Sequence, residues 1–215
     1  MKKSAMDEIN TLVERYPDLC SVKDDITKAL EILIECFESG GKILVGGNGG
    51  SAADSEHIVG ELMKAFESKR YISSEDKKLL EEMFPEESEY LSKNLQGALP
   101  AISLISHTGL MTAYANDMAP DLYMAQQTYG YGKEGDVLFA ISTSGNSKNI
   151  IYAAQVAKLK KMKIIGLTGS KKCKLEEIAH VNISAPSTRT YQIQEYHLPI
   201  YHTICLGLEK HFFND

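Results

Sequence analysis

The chain has no surplus of positive charge: 23 Lys and Arg face 29 Asp and Glu, for a net charge of −6. With no basic field to gather phosphates along a backbone, nucleic-acid binding is not expected. Cysteine is sparse and scattered. Cys20, Cys36, Cys173 and Cys205 make no CxxC pair and no short Cys/His spacing of the kind structural zinc needs, so they read as buried thiols in a reducing compartment. No apolar run reaches the ~18 residues of a membrane span. The basic Met1-Lys2-Lys3 is followed by Asp7, Glu8 and Asn10 rather than by an apolar leader core. Internal repeats and low-complexity linkers are lacking too. The expectation is a cytoplasmic protein with no membrane or nucleic-acid partner, whose 215 residues, 43% hydrophobic, suffice for one domain with a full core.

Within that frame, strand-like and helix-like stretches alternate. Ile26, Leu30, Leu33, Ile34 and Phe37 recur at helical spacing from Val22 to Phe37, with Ser21 as the expected N-cap and Gly40-Gly41 as the stop. A shorter helix is expected before it, near Met6 to Val13, so that residues 5–39 form an N-terminal helical segment. Apolar runs at 42–45, 101–105, 136–141, 163–168 and 181–184 read as strands, with helices over 52–66 and 149–160. This alternation predicts an α/β fold with right-handed crossovers and a parallel sheet covered on both faces, its ligands bound beyond the carboxyl ends of the strands. Residues 71–96, rich in Glu, Lys and Ser, lack strand character and read as an insertion of two short helices around Pro85. The segment 192–213 is helical by periodicity, but Pro199 should kink it or lie in its first turns.

Two strand-end loops carry the chemistry. Gly46-Gly47-Asn48-Gly49-Gly50-Ser51 allows close backbone approach to an anion at the head of the next helix, although it has neither the Walker lysine nor GxGxxG and a ligand-free tight turn fits equally. Ser142-Thr143-Ser144-Gly145-Asn146-Ser147 gathers four hydroxyls directly before another helix, where capping alone would need one. Two such loops on neighbouring strand ends point to a phosphorylated ligand. On the helix after the first loop, His57 and Glu61 stand at i and i+4, a spacing that suits joint metal coordination and equally a surface His-Glu pair. Gln194, Glu195, His197 and His202 add polar groups to the last helix, Gln194 and His202 being ~12 Å apart along an ideal helix.

Taken together, Gly46 to Ser51, His57 with Glu61, Asn116-Asp117, Gly135-Asp136-Val-Leu, Ser142 to Ser147, and Ile193-Gln-Glu-Tyr-His197 with His202 resemble the sugar isomerase (SIS) domain, and within it the phosphoheptose isomerases. The resemblance implies a single SIS domain over 1–215 with a doubly wound five-stranded parallel sheet of flavodoxin-like, Rossmann-like type. It also implies a homotetramer with sites at subunit interfaces. The implied reaction interconverts D-sedoheptulose 7-phosphate and D-glycero-D-manno-heptose 7-phosphate. By the same resemblance, Asn48, Gly49, Gly50, Ser51, Asn116, Asp117, Ser142, Thr143, Ser144, Ser147 and Gln194 would contact the substrate and its phosphate. His57, Glu61, Gln194 and His202 would surround Zn2+, and Glu61 and His202 would carry the proton transfers.

Three departures bear on the substrate. Lys64-Ala65 stands where the family commonly has Gly-Arg, His107 stands where an acidic residue often follows the second strand, and the 71–96 insertion lies between them. Two other readings remain alongside. One is a non-catalytic SIS module that senses a sugar phosphate or docks a partner such as a replication initiator; the other is an isomerase of a different sugar phosphate.

Overall fold

The computed structural model describes residues 1–213. Helix α1 (Lys3–Arg15) and α2 (Lys23–Glu38) precede strand β1 (Ile43–Gly46) and α3 (Gly50–Met63). The insertion follows as α4 (Ser74–Met83) and α5 (Ser88–Asn94). Then come β2 (Ala101–Ser103), α6 (Thr108–Asp117), α7 (Tyr123–Tyr131), β3 (Val137–Ile141), α8 (Lys148–Leu159), β4 (Lys163–Gly169), α9 (Lys174–Ile178), β5 (Val181–Ala185) and α10 (Thr190–Phe213). All five strands run parallel in the order β2-β1-β3-β4-β5. That is the doubly wound, flavodoxin-like order, and its direction of winding reverses between β1 and β3.

Side chains alternate across each strand, which divides the core in two. Ile43, Val45, Val137, Phe139, Ile141, Ile165 and Leu167 pack against α1, α2, α3 and α10 on one face. Leu44, Leu138, Ala140 and Ile164 meet the helices α7, α8 and α9 on the other. Asp136 clamps the sheet at its amino end, accepting from the Lys42 and Lys133 backbone N–H groups and from Lys42 Nζ at 2.5 Å. The loops of interest leave the opposite edge. Among the described residues no helix is long and apolar enough to cross a membrane.

Several expectations are corrected here. Ser21 does not cap α2: Pro17–Val22 forms a 3-10 turn, in which Ser21 Oγ donates to the Asp18 carbonyl. Pro199 sits at the tenth residue of an unbroken α10, far from its first turns. Burial of Ile193, His197, Ile200, Tyr201, Ile204, Cys205 and Leu208 on one helix outweighs the one missing N–H. Cys20 is exposed, whereas Cys36, Cys173 and Cys205 are buried; all four are unpaired thiols. Helix α3 starts two residues earlier and ends three earlier than expected. Its end is set by the buried Arg70 guanidinium, which donates to the carbonyls of Glu61 at 2.9 Å and Leu62 at 2.8 Å. The two insertion helices flank Pro85 as expected, with Ser73 capping α4 through the Asp76 N–H.

Candidate active site

The loop after β1 and the loop after β3 leave adjacent strands at the point where the winding reverses, the place where open α/β sheets bind ligands. They are tied together by two amides: Asn48 Nδ2 donates to Asn149 Oδ1 at 3.0 Å and Asn149 Nδ2 returns the bond to Asn48 Oδ1 at 2.8 Å. In the first loop Gly49 takes φ +57°, a left-handed conformation that side chains disfavour. Gly50 is held to glycine by contact, because a Cβ there would lie 2.5 Å from Gln194 Nε2. So the head of α3 is roofed by the first turn of α10. Ser51 is buried behind this turn, its N–H bonded to the Asn48 carbonyl.

The second loop keeps its hydroxyls free of capping duty. Ser147 occupies the N-cap of α8 without any side-chain bond to the helix; it accepts instead from Ser142 Oγ at 3.2 Å. Ser144 Oγ accepts from the Asn146 N–H. Gly145 turns the loop at φ +61° against Cys173, whose Sγ would lie 2.2 Å from a Cβ at that position. Thr143 and Ser144 open onto a cavity of about 280 Å³, whose far wall carries Ser170, Lys171, Lys172 and Thr188. These residues were missed in the sequence. The signal was present, since Ser170-Lys171-Lys172 follows β4 at the same carboxyl edge that singled out the other loops.

A second polar group lies further along α3, where that helix runs beside α10. His57 Nε2 is 3.2 Å from Glu61 Oε1, and Lys64 Nζ is 3.3 Å from Glu61 Oε2. The His202 ring lies 5.0 Å from that of His57, edge to face, and its Nε2 is buried with no hydrogen-bond partner. Burial, and then the neighbouring His57, push the His202 pKa down, which favours the neutral ring. On the other side of His57, Nδ1 is 3.0 Å from the Tyr201 hydroxyl, which donates to Asp54 Oδ1 at 3.3 Å. Burial raises the Asp54 pKa, against the opposing pull of the Tyr201 bond. Tyr201 is raised by burial first and then by the Asp54 charge, so it keeps its proton through neutral pH. Neither Tyr201 nor Asp54 was singled out in the sequence, because their partners are 144 and 147 residues apart.

The remaining expected residues lie elsewhere. Gln194 packs on Gly50, about two turns before His202, and no hydrogen bond among the described residues joins it to His57, Glu61 or His202. Asn116 and Asp117 end α6, exposed and bonded to each other at 2.8 Å. His107 heads α6 with Nε2 3.5 Å from the Tyr131 hydroxyl and Nδ1 buried without a partner. His197, buried under the sheet edge, contacts the Thr168 carbonyl at 3.2 Å, and burial pushes its pKa down to about 4. A larger cavity of about 770 Å³ opens between residues 65–71 and the helices α4 and α5. No imidazole lines it and it touches neither strand-end loop, so its size does not make it the reaction site.

This is the architecture of a sugar-phosphate-binding α/β domain, and comparison with known proteins agrees. The SIS domain family matches residues 6–94 and 79–169. A phosphoheptose isomerase of Shewanella baltica is 34% identical over 216 residues, covering 99% of this chain and 95% of the relative. The structure of a phosphoheptose isomerase from Francisella tularensis superposes with a TM-score of 0.72 at 28% identity, over 98% of this chain and all of that one. That of phosphoheptose isomerase GmhA from Neisseria gonorrhoeae gives 0.66 at 30% identity, over 93% and 91%. The chain belongs to the SIS domain family and, within it, to the phosphoheptose isomerases.

Proposed function

We propose that this chain is an aldose-ketose isomerase that interconverts D-sedoheptulose 7-phosphate and D-glycero-D-manno-heptose 7-phosphate. The observation that carries the reading is the His57-Glu61 pair on α3, the helix whose head meets the two strand-end loops, with the His202 ring of α10 beside it. Relatives named phosphoheptose isomerase along the full chain support it. Ser51, Ser142, Thr143, Ser144 and Ser147, with the backbone of Asn48, Gly49 and Gly50, hold the phosphate by hydrogen bonds and helix-terminus dipoles. Gln194, packed on Gly50, adds a substrate contact, whereas Asn116 and Asp117, exposed at the end of α6, would reach a substrate only through a shared subunit interface.

In the ketose-to-aldose direction Glu61 takes a proton from C1 and returns it to C2, while His202 moves the hydroxyl proton from O1 to O2 through the enediolate. Glu61 presents its two oxygens to different neighbours, Oε1 to His57 and Oε2 to Lys64.

Among the described residues no three His, Cys, Asp or Glu side chains converge closely enough to hold an ion as they stand. The donor set nevertheless fits one. His202 has a buried Nε2 with no partner and a ring 5.0 Å from that of His57, and two imidazoles with a carboxylate suit Zn2+. His57, Glu61 and His202 would hold it, with Gln194 joining only if the first turns of α10 shift. When bound, a divalent cation polarises the carbonyl and offsets the enediolate charge.

A homotetramer with sites shared between subunits accords with α6, a helix with no buried residue that leaves Leu110 exposed and is followed by the exposed Met118. Free thiols accord with a cytoplasmic setting. His107 and Lys64, which stand where the family commonly has an acidic residue and a Gly-Arg pair, favour as second reading an isomerase of another sugar phosphate.

The test is an NMR assay with sedoheptulose 7-phosphate in deuterated buffer, with and without zinc. Aldose product with deuterium at C2 supports the proposal. Binding without conversion rejects this substrate and turns the assay to other phosphorylated ketoses; no conversion of any leaves a binding module.

A further inference from the structure

Three successive strand-end loops, after β3, β4 and β5, together with the first turn of α10, enclose the cavity of about 280 Å³ onto which Thr143 and Ser144 open. No carboxylate lines it, in a chain with 29 Asp and Glu. Lys171 and Lys172 do line it, both exposed, and among the described residues neither their ammonium groups nor their backbone N–H groups have a hydrogen-bond or ion-pair partner. The loop that carries them is fixed on both sides. Ser170 donates its N–H and its Oγ to the Ser187 carbonyl, each at 3.0 Å, and the Lys174 N–H donates to Asn146 Oδ1 at 3.1 Å. Gly169 is pressed against α10, where Ile193 Cδ1 would lie 2.4 Å from a Cβ at that position. Hydroxyl protons are left over as well: Ser144 Oγ only accepts, from the Asn146 N–H, and among the described residues the Thr143 and Thr188 side chains make no hydrogen bond. An anion in this cavity meets free donors and positive charge without a repelling carboxylate.

We propose that this cavity seats the phosphate end of the sugar phosphate, and that Lys171 and Lys172 are specificity-determining residues there, supplying the positive charge that the hydroxyl loop lacks. The proposal deepens the reading of Ser142 to Ser147 as the phosphate loop and rests on it. Hydroxyls and N–H dipoles orient a phosphate but bring no net charge, whereas a phosphate monoester carries about −1.5 to −2 at neutral pH. A chain of net charge −6 repels such a group at long range, and two unpaired lysines at the mouth of an acid-free cavity reverse the field locally. An uncharged sugar gains nothing from either lysine. The larger cavity beside α4 and α5 offers no such field, since Glu67, Glu81 and Glu89 line it. Position agrees with charge: Ile193 lines the smaller cavity, and the next residue, Gln194, packs on Gly50 at the head of the helix that carries His57 and Glu61. A ligand anchored by its phosphate in the cavity has its carbon chain leading past Gln194 toward α3.

The experiment is calorimetry of the full-length chain with inorganic phosphate and with sedoheptulose 7-phosphate, at about 50 and about 200 mM salt. Lys171→Met and Lys172→Met should each weaken both ligands about 10-fold, as loss of a hydrogen bond to a charged group does, and should flatten the salt dependence. In turnover assays the loss should fall on KM. Lys171→Arg and Lys172→Arg, which keep the charge, should restore the affinity. Lys78→Met makes the same change of charge on α4, where Lys78 pairs with Glu82, and should move neither ligand. Inorganic phosphate should displace the sugar phosphate. Unchanged affinities in the Met variants at positions 171 and 172, an equal loss in Lys78→Met, no binding of either ligand, or phosphate that binds without displacing the sugar phosphate overturns the proposal. A chain that binds both anions through these lysines but converts no sugar phosphate rejects the proposed reaction and leaves this inference standing; an active isomerase whose KM ignores the lysines does the reverse.

Discussion

Two ends of the same helix pair treat buried polar groups in opposite ways. Beyond the carboxyl end of α3, Glu209 is fully buried and accepts from the Phe66, Glu67 and Ser68 N–H groups at 2.8 to 3.0 Å and from Arg70 Nε at 2.8 Å. Burial alone would raise its pKa, but the three backbone donors and the guanidinium hold it below the ordinary range. Arg70 in turn spends its other nitrogens on the end of α3. Nothing there is left to react. About two turns earlier on α10, His202 Nε2 is buried with no partner beside the His57-Glu61 pair. Saturated valences fix the chain, and unsaturated ones mark where an outside group is received.

That contrast can be broken from either side. The largest expected effect is on turnover: Glu61→Gln should lower kcat by 10²- to 10⁴-fold or more, as removal of a general base does, with little change in the urea midpoint. Unchanged turnover would place the base elsewhere. Arg70→Met should do the opposite, costing about 3 to 5 kcal/mol of stability by stranding a buried carboxylate; a midpoint within error of the unaltered chain would mean that Glu209 escapes to water.

His197 tests whether a buried, incompletely bonded imidazole outside the cluster is structural. Its folded pKa, about 4, lies below the ordinary 6.5, so between those values the unfolded chain binds more protons and acid favours unfolding. Stability should be full above pH 6.5 and lose up to about 3 kcal/mol as pH falls toward 4. The same pH series on His197→Leu should show a shallower loss; parallel curves would acquit His197. The smallest effect is on binding: Ser144→Ala should weaken the sugar-phosphate affinity by about 1.5 to 3 kcal/mol, one hydrogen bond to a charged group, measured by calorimetry. An unaltered Kd would remove Ser144 from the phosphate site.

How much of this was legible in the sequence depends on whether the signal is local. The five strands and both strand-end loops were, because an apolar run breaking at once into glycine or hydroxyl residues is a pattern within ten residues. His57 and Glu61 were visible as one turn of one helix. Ser21 misled because its local preference was overridden by the turn that starts at Pro17, and Pro199 lies mid-helix rather than near the first turns because burial along α10 carries the helix past it. Helices α6, α7 and α9 were not anticipated; α6 buries none of its residues and so carries no apolar stripe to read, α7 buries the polar Gln127 and Thr128 beside Met124 and Ala125, and α9 is only 5 residues long. The bonds of Tyr201 to Asp54 and His57 and the Arg70-Glu209 pair join residues more than a hundred positions apart, which no window along one chain can connect. The distance between Gln194 and His202 was evident from helix geometry, and the fold keeps it.

The clasp between Asn48 and Asn149 has a consequence for ionic strength. A lysine-carboxylate latch across the two loops would loosen as salt screened it and would let go when the carboxylate was protonated. A pair of amides has no net charge and nothing to titrate, so the width of the crevice between the loops is set by a caliper that neither salt nor moderate acid adjusts.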